Sequence, residues 1–203
     1  MKIRLENKTD YNNVEKLQRN SFWNIYRPGA YEHYIIHKLR KKEYFIKELA
    51  FVIEKNSTII GNINYSIGSI NYKNKKIDAV VLGPLAIDKK YQNKGLGTQL
   101  IKHTLKLAEE YIIPFIIVIG DENYYSRFGF ESASKYNLYM DGSDLNEENP
   151  FFMIKIFDKN KISYETGIFQ NPEVFNVNED EVDEFDKQFE YKKKLILESQ
   201  LGV

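Results

Sequence analysis

"DKKYQNKGLGTQLIKHTL", from Asp88 to Leu105, opens polar, carries two glycines one residue apart, and then settles into an apolar repeat. Leu96, Leu100, Ile101, Leu105, Ala108 and Tyr111 or Ile112 recur at the spacing that places them on one helix face. Gly95 and Gly97 therefore stand where that helix begins. Glycine within a helix costs roughly 0.5–1 kcal/mol relative to alanine, so something should be gained from it. One gain is chemical. The first N–H groups of a helix have no intrahelical partner and lie at the positive end of its dipole, which makes an anion site. Glycines let phosphate oxygens reach those amides, and Lys94 adds charge at the rim. The plain alternative is a tight turn or a close helix–sheet contact, and a bare G-x-G does not exclude it.

Two named phosphate motifs fail on their residues. A P-loop needs Lys and Ser or Thr after its last glycine, and Thr98 and Gln99 follow Gly97. A Rossmann fingerprint needs a third glycine three residues on, where Leu100 stands. Before the glycines, "KIDAVVLGPLAI" (Lys76–Ile87) is a long strand interrupted at Gly83-Pro84, where a bulge or an unpaired stretch is expected. After them, "FIIVIG" (Phe115–Gly120) follows Pro114 and suits a central strand covered on both faces. A short helix over Glu122–Phe128 is stopped by Gly129, and "YNLYM" and "FFMIKIF" are two late strands around the polar loop "DGSDLNEENP".

Upstream, "KIRLE" reads as a first strand, with Thr9 or Asp10 capping a helix that carries Val14, Leu17 and Phe22 and breaks at "RPG". A second helix runs from Tyr31 to Leu39. Leu49–Ile70 holds two strands joined at Asn56 and Ser57. The order is mixed α+β around one sheet. "NEDEVDEFDKQFEYKKKLILESQ" (Asn178–Gln200) starts acidic and turns basic, as a helix dipole favours. It reads as a helix docked through Val182, Phe185 and Phe189, a partner-binding or dimerisation element being the alternative.

The 203 residues suit one domain with an appendage. Lys plus Arg and Asp plus Glu number 29 each, so no charge bias points to nucleic acid or a membrane surface. Cysteine is absent, which excludes disulfides, thiolate metal sites and cysteine nucleophiles. The polar "MKIRLENKTD" and the lack of a long apolar run predict a cytoplasmic protein without a membrane span.

"LGPLAIDKKYQNKGLGTQLI" (Leu82–Ile101) resembles the acetyl-CoA-binding motif of the GNAT N-acetyltransferases, Gln/Arg-x-x-Gly-x-Gly/Ala, and Gln92, Gly95 and Gly97 match it. "GDENYYSRFGF" (Gly120–Phe130) is similar to the later part of the family's cofactor motif, a tyrosine four residues before Gly-Phe. The pair of motifs looks like the YhbS-like subfamily. The resemblance implies a three-layer α/β (α+β) fold with a mixed, mostly antiparallel sheet and a central parallel strand pair flanked by helices. It places the acetyltransferase domain at 1–160 and a C-terminal extension with a docked helix at 161–203.

The resemblance also implies a chemistry: a neutral amine attacks the thioester of acetyl-CoA and the CoA thiolate leaves. The pyrophosphate would sit on Gln92, Asn93, Lys94, Gly95, Leu96, Gly97 and Thr98, and the pantetheine arm along the backbone of Leu85, Ala86 and Ile87. An N–H near Leu85 or Ala86 would polarise the thioester carbonyl. Tyr125 would protonate the thiolate, with packing against Phe128 and Phe130 as the plainer role. Tyr124 is its neighbour and alternative, and Arg127 either pairs structurally or touches CoA phosphate. No Glu lies on the strand before the glycines, so Glu54, Asp78, Asp121, Glu122, His33, His37 or a water chain remain as base. Trp23, Tyr26, Tyr31 and Tyr34 are candidates for lining an acceptor pocket. No metal is implied, the acceptor amine is unidentified, and the chain is expected as monomer or homodimer. A non-catalytic acyl-CoA-binding or interaction module is the alternative reading.

Overall fold

A computed structural model describes residues 1–145 and 148–200. The hydrogen-bonded ladder begins with β1 (Lys2–Leu5), β2 (Phe51–Lys55) and β3 (Thr58–Asn71), each antiparallel to the next. Asn56 and Ser57, with φ of 48° and 60°, make the tight β2–β3 turn, a left-handed pair that suits a two-residue hairpin. β4 (Lys76–Ile87) follows β3 in the ladder, and β5 (Phe115–Ile119) lies next, parallel to β4. β8 (Phe152–Ile156) pairs antiparallel with β5, and the two-residue β6 (Glu131–Ser132) with β8. β7 (Leu138–Met140) runs parallel to β9 (Gly167–Gln170), which pairs antiparallel with the end of β3. The sheet is therefore mixed and mostly antiparallel, with the parallel strand pair, β4–β5, that the family resemblance implies.

The helices are α1 (Tyr11–Phe22), α2 (Glu32–Leu39), α3 (Leu96–Glu110), α4 (Glu122–Tyr125) and α5 (Glu179–Asp186). The chain forms two compact units, one from the described residues of Met1–Asn64, Pro84–Leu100 and Glu173–Val203, the other from those of Tyr65–Gly83 and Ile101–Pro172. In the first, Val14 and Leu17 of α1 pack with Val52, Ile59 and Ala86, and Ile35, Ile36 and Leu39 of α2 pack with Val174. In the second, Phe115, Ile117, Phe152, Ile154 and Phe169 centre the core.

The C-terminal segment differs from its expected form. α5 stops at Asp186, and the chain from 187 to 200 contains no further helix. Single anchors hold the segment instead: Trp23 Nε1 and Asn24 Nδ2 each donate to Lys193 O at 3.1 Å, and Gln200 Nε2 donates to Asn24 O at 3.3 Å. Val182 is buried, and the rings of Phe185 and Phe189 lie against His33 as docking side chains do.

Candidate functional site

The turn before α3 is built from alternating backbone hands. Gln92 is extended, while Asn93 and Gly95 have φ of 58° and 76°. Such alternation gathers successive amides into a concavity that favours an anion. Gly95 O accepts from Gln99 N at 3.0 Å and closes the first helical turn, so Leu96, Gly97 and Thr98 contribute first-turn amides. A β-carbon on Gly95 would meet nothing within 4 Å; its left-handed φ, not crowding, asks for glycine, and the same open space gives a phosphate room. Two side chains brace the turn from outside. Gln92 Nε2 donates to Ile87 O at 3.0 Å, and Lys94 Nζ donates to Lys90 O at 2.8 Å. The residues present thus fit a pyrophosphate.

The strand leading into the turn changes character at the expected place. The parallel register of β4 with β5 runs from Val80 to Leu82 and β4 itself continues to Ile87, past Gly83 at φ 145° and Pro84. Beyond the kink, Asp88 N donates to Ile60 O of β3 at 2.9 Å, and Ile87 O accepts from Ser21 Oγ at 3.1 Å. Pro84 O accepts from Asn64 Nδ2 at 3.1 Å. Asn64 belongs to a fully buried amide ladder: Asn62 Nδ2 donates to Phe51 O at 3.1 Å, and Asn62 Oδ1 accepts from Gln18 Nε2 at 2.8 Å and Asn64 Nδ2 at 2.6 Å. Gln18 Oε1 and Asn64 Oδ1 are left without a partner. A buried acceptor left without a protein or water partner costs about 1–3 kcal/mol.

A second cluster surrounds Tyr125. Asp121 caps α4, its Oδ1 accepting from Asn123 N at 2.9 Å, and Gly129 ends the following turn at φ 80°. The Tyr125 ring packs over Gly120, where an added β-carbon would fall well inside van der Waals contact with Cε2. It also meets Phe130 edge-on at 5.7 Å. Tyr125 is half-buried. The Arg127 guanidinium covers the ring of its neighbour Tyr124 at 4.7 Å, and Arg127 Nε donates to Tyr124 O at 3.2 Å.

Over 138 residues this chain is 30% identical to the uncharacterized N-acetyltransferase YhbS of Escherichia coli (strain K12), across 68% of this chain and 78% of that one. The chain belongs to the GNAT acetyltransferase family. The family model for the acetyltransferase (GNAT) domain matches residues 47–132, which include β4, the glycine turn and Tyr125. The crystal structure of the Escherichia coli GNAT protein YhbS in complex with CoA superposes with a TM-score of 0.73 at 26% identity, covering 87% of this chain and 92% of that one. A GNAT acetyltransferase from Brucella melitensis in complex with acetyl-CoA shares the fold, with a TM-score of 0.66 at 20% identity over 86% of this chain and 97% of the other.

Within this GNAT chain several sequence candidates have structural partners. Glu54 is paired with Arg4 at 2.7 Å, and His37 Nδ1 lies 3.0 Å from Glu15. His33 is wholly buried with Nε2 3.0 Å from Asp186, and Asp121 serves as the α4 cap. Glu122 and Asp78 are exposed. Of the aromatic candidates, Trp23 donates to Lys193 O, Tyr31 bonds to Glu179, and Tyr34 bonds to Glu181 at 2.5 Å. The C-terminal segment thus hydrogen-bonds to three of the four aromatics expected to meet an acceptor, and Tyr26 is partly exposed. Sequence reading missed Gln18, Asn62, Asn64 and Gly120. A signal existed for the asparagines: two amides at i and i+2 in the apolar run "IIGNINYSIG" share one strand face. Among the described residues, no cluster of three potential metal ligands occurs, and no helix is long and apolar enough to cross a membrane.

Proposed function

We propose that this GNAT chain transfers the acetyl group of acetyl-CoA to a primary amine of a small molecule or peptide. The glycine turn at the start of α3, with its left-handed Gly95 and open space above it, is the observation that carries this reading. Bound acetyl-CoA supplies an activated acyl thioester. The amides of the turn from Gln92 to Thr98, Asn93 and Lys94 included, hold its pyrophosphate. The β4 backbone at Leu85–Ile87 aligns the pantetheine arm, and Tyr124 and Arg127 are assigned to cofactor contact. A β4 N–H donates to the thioester oxygen as negative charge develops there. The carbon–nitrogen bond forms and the carbon–sulfur bond breaks; the amine's proton passes to solvent through a water chain, and Tyr125 delivers one to the leaving sulfur and is reprotonated from solvent. A phenol of ordinary pKa, about 10, is a suitable proton donor to a leaving thiolate.

Thermal melting with acetyl-CoA, followed by thiol release against an amine panel, tests the proposal. Stabilisation and amine-dependent release are expected. No stabilisation overturns cofactor binding, and binding without release across the panel favours a non-catalytic acyl-CoA module.

A further inference from the structure

The buried amide ladder has a consequence for the reacting carbonyl. Pro84 C=O and Leu85 N–H are two ends of one planar trans peptide and point in opposite directions. Asn64 Nδ2 holds the oxygen end at 3.1 Å from the β3 side. Leu85 N–H is therefore turned to the opposite edge of β4. The backbone farther along agrees. Asp88 N–H points to Ile60 O of β3, and Ile87 C=O, the other end of that peptide, points away and accepts from Ser21 and Gln92. In an extended strand successive residues alternate edges, so Leu85 and Ile87 present N–H groups away from β3 and Ala86 presents its own toward it. The Ala86 side chain also packs into the core with Val14 and Leu17.

The direction of every bond in the ladder is fixed from its far end. Phe51 O can only accept, so it takes the Asn62 NH₂; Asn62 Oδ1 then accepts from Gln18 and Asn64, and the second Asn64 N–H is left for Pro84 O. A reversed Asn64 would set its oxygen against two acceptors. Donation to Pro84 O also polarises the peptide and strengthens Leu85 N–H as a donor.

We infer that Asn64 is a positioning residue for acetyl transfer: it fixes and polarises the Pro84–Leu85 peptide so that Leu85 N–H, rather than Ala86 N–H, donates to the thioester oxygen. The inference rests on the proposed acetyl-CoA chemistry.

Its test needs no acceptor. Acetyl-CoA carrying ¹³C at the thioester carbonyl is bound to the wild type, Asn64→Leu and Asn64→Asp, and the carbonyl stretch is read by infrared difference spectroscopy alongside affinity and melting temperature. The wild type is expected to lower the band relative to free acetyl-CoA. Both variants, folded and binding acetyl-CoA within about threefold of wild type, are expected to return it toward the free position. With an active amine in hand, kcat should fall about 10- to 100-fold at nearly constant KM for acetyl-CoA, by comparison with loss of a full oxyanion donor. A wild type that binds with an unshifted band, or variants that bind and keep the wild-type band, would overturn the inference while leaving cofactor binding intact. If neither variant folds, or both fold without binding acetyl-CoA, Asn64 is structural and the inference also fails. A wild type that does not bind acetyl-CoA removes the proposed function itself.

Discussion

Gly120 gives the Tyr125 ring its seat, because any β-carbon there collides with the ring edge. Gly120→Ala is expected to displace the phenol and to lower turnover in the same direction as Tyr125→Phe. For Tyr125→Phe a loss of about 100-fold in kcat is the scale of a general acid, with acetyl-CoA affinity little changed. Steady-state kinetics beside a binding titration check both, and an unchanged rate in Tyr125→Phe would remove the acid role. Gly95 differs, since space surrounds it and only its φ of 76° is demanding. Gly95→Ala should cost about 1–2 kcal/mol in denaturant unfolding, the usual penalty of a left-handed non-glycine residue, and should weaken acetyl-CoA binding. Gly97→Val should chiefly weaken that binding too. Undiminished affinity would mean the glycines only shape the turn. At this scale the sequence showed the glycines, because their spacing is a pattern, and hid Asn64 and Gly120. Their importance lies in what faces them across space: a strand carbonyl in one case, a ring five residues on in the other.

Among the elements, β4 was legible to its ends. Alternation and the Gly-Pro break show in the residue order, and the observed strand spans the same Lys76–Ile87. β6 and β9 were not, being two and four residues long and defined by partners distant in sequence. The length of α5 was also hidden, because the tail's anchors are side chains of α1 and of the turn after it. The strongest is Arg19, only 2% exposed, which donates through Nε and Nη2 to Asp186 at 2.6 and 2.7 Å. Asp186→Ala leaves that cation buried and unpaired. It should destabilise the fold by about 3 kcal/mol and raise hydrogen exchange along 187–200, whereas an unchanged melting curve would show the pair to be idle.

His33 adds a pH dependence to the same cluster. Burial pushes its pKa down to about 4, opposed by Asp186 and assisted by Arg19, while the Phe185 and Phe189 rings face it from the tail. The folded value lies below the unfolded one, so the unfolded chain binds the extra proton between them. Stability should then fall as pH drops from about 6.5 to 4, by on the order of 3 kcal/mol in full. Asp186, held below the usual carboxylate range by Arg19 against the opposing effect of its own burial, loses its contribution only at lower pH still. Urea midpoints across this range should slope upward with pH, and His33→Gln should flatten the slope. A slope that survives the substitution assigns it elsewhere.

For the whole molecule, family membership and the glycine turn support the proposed donor side, while the aromatics expected on the acceptor side also bond to the C-terminal segment. Trp23, Tyr31 and Tyr34 hydrogen-bond to the C-terminal segment at Lys193 O, Glu179 and Glu181. Residue order showed aromatic crowding between Ser21 and Arg40 but not that a segment more than 140 residues away engages it. The donor side is also the part open to direct measurement without knowing the amine. Calorimetric titration of the wild-type chain with acetyl-CoA should give one site per chain with a dissociation constant on the order of micromolar, about −8 kcal/mol. No heat and no saturation up to millimolar acetyl-CoA would contradict the assignment of the glycine turn as its pyrophosphate seat.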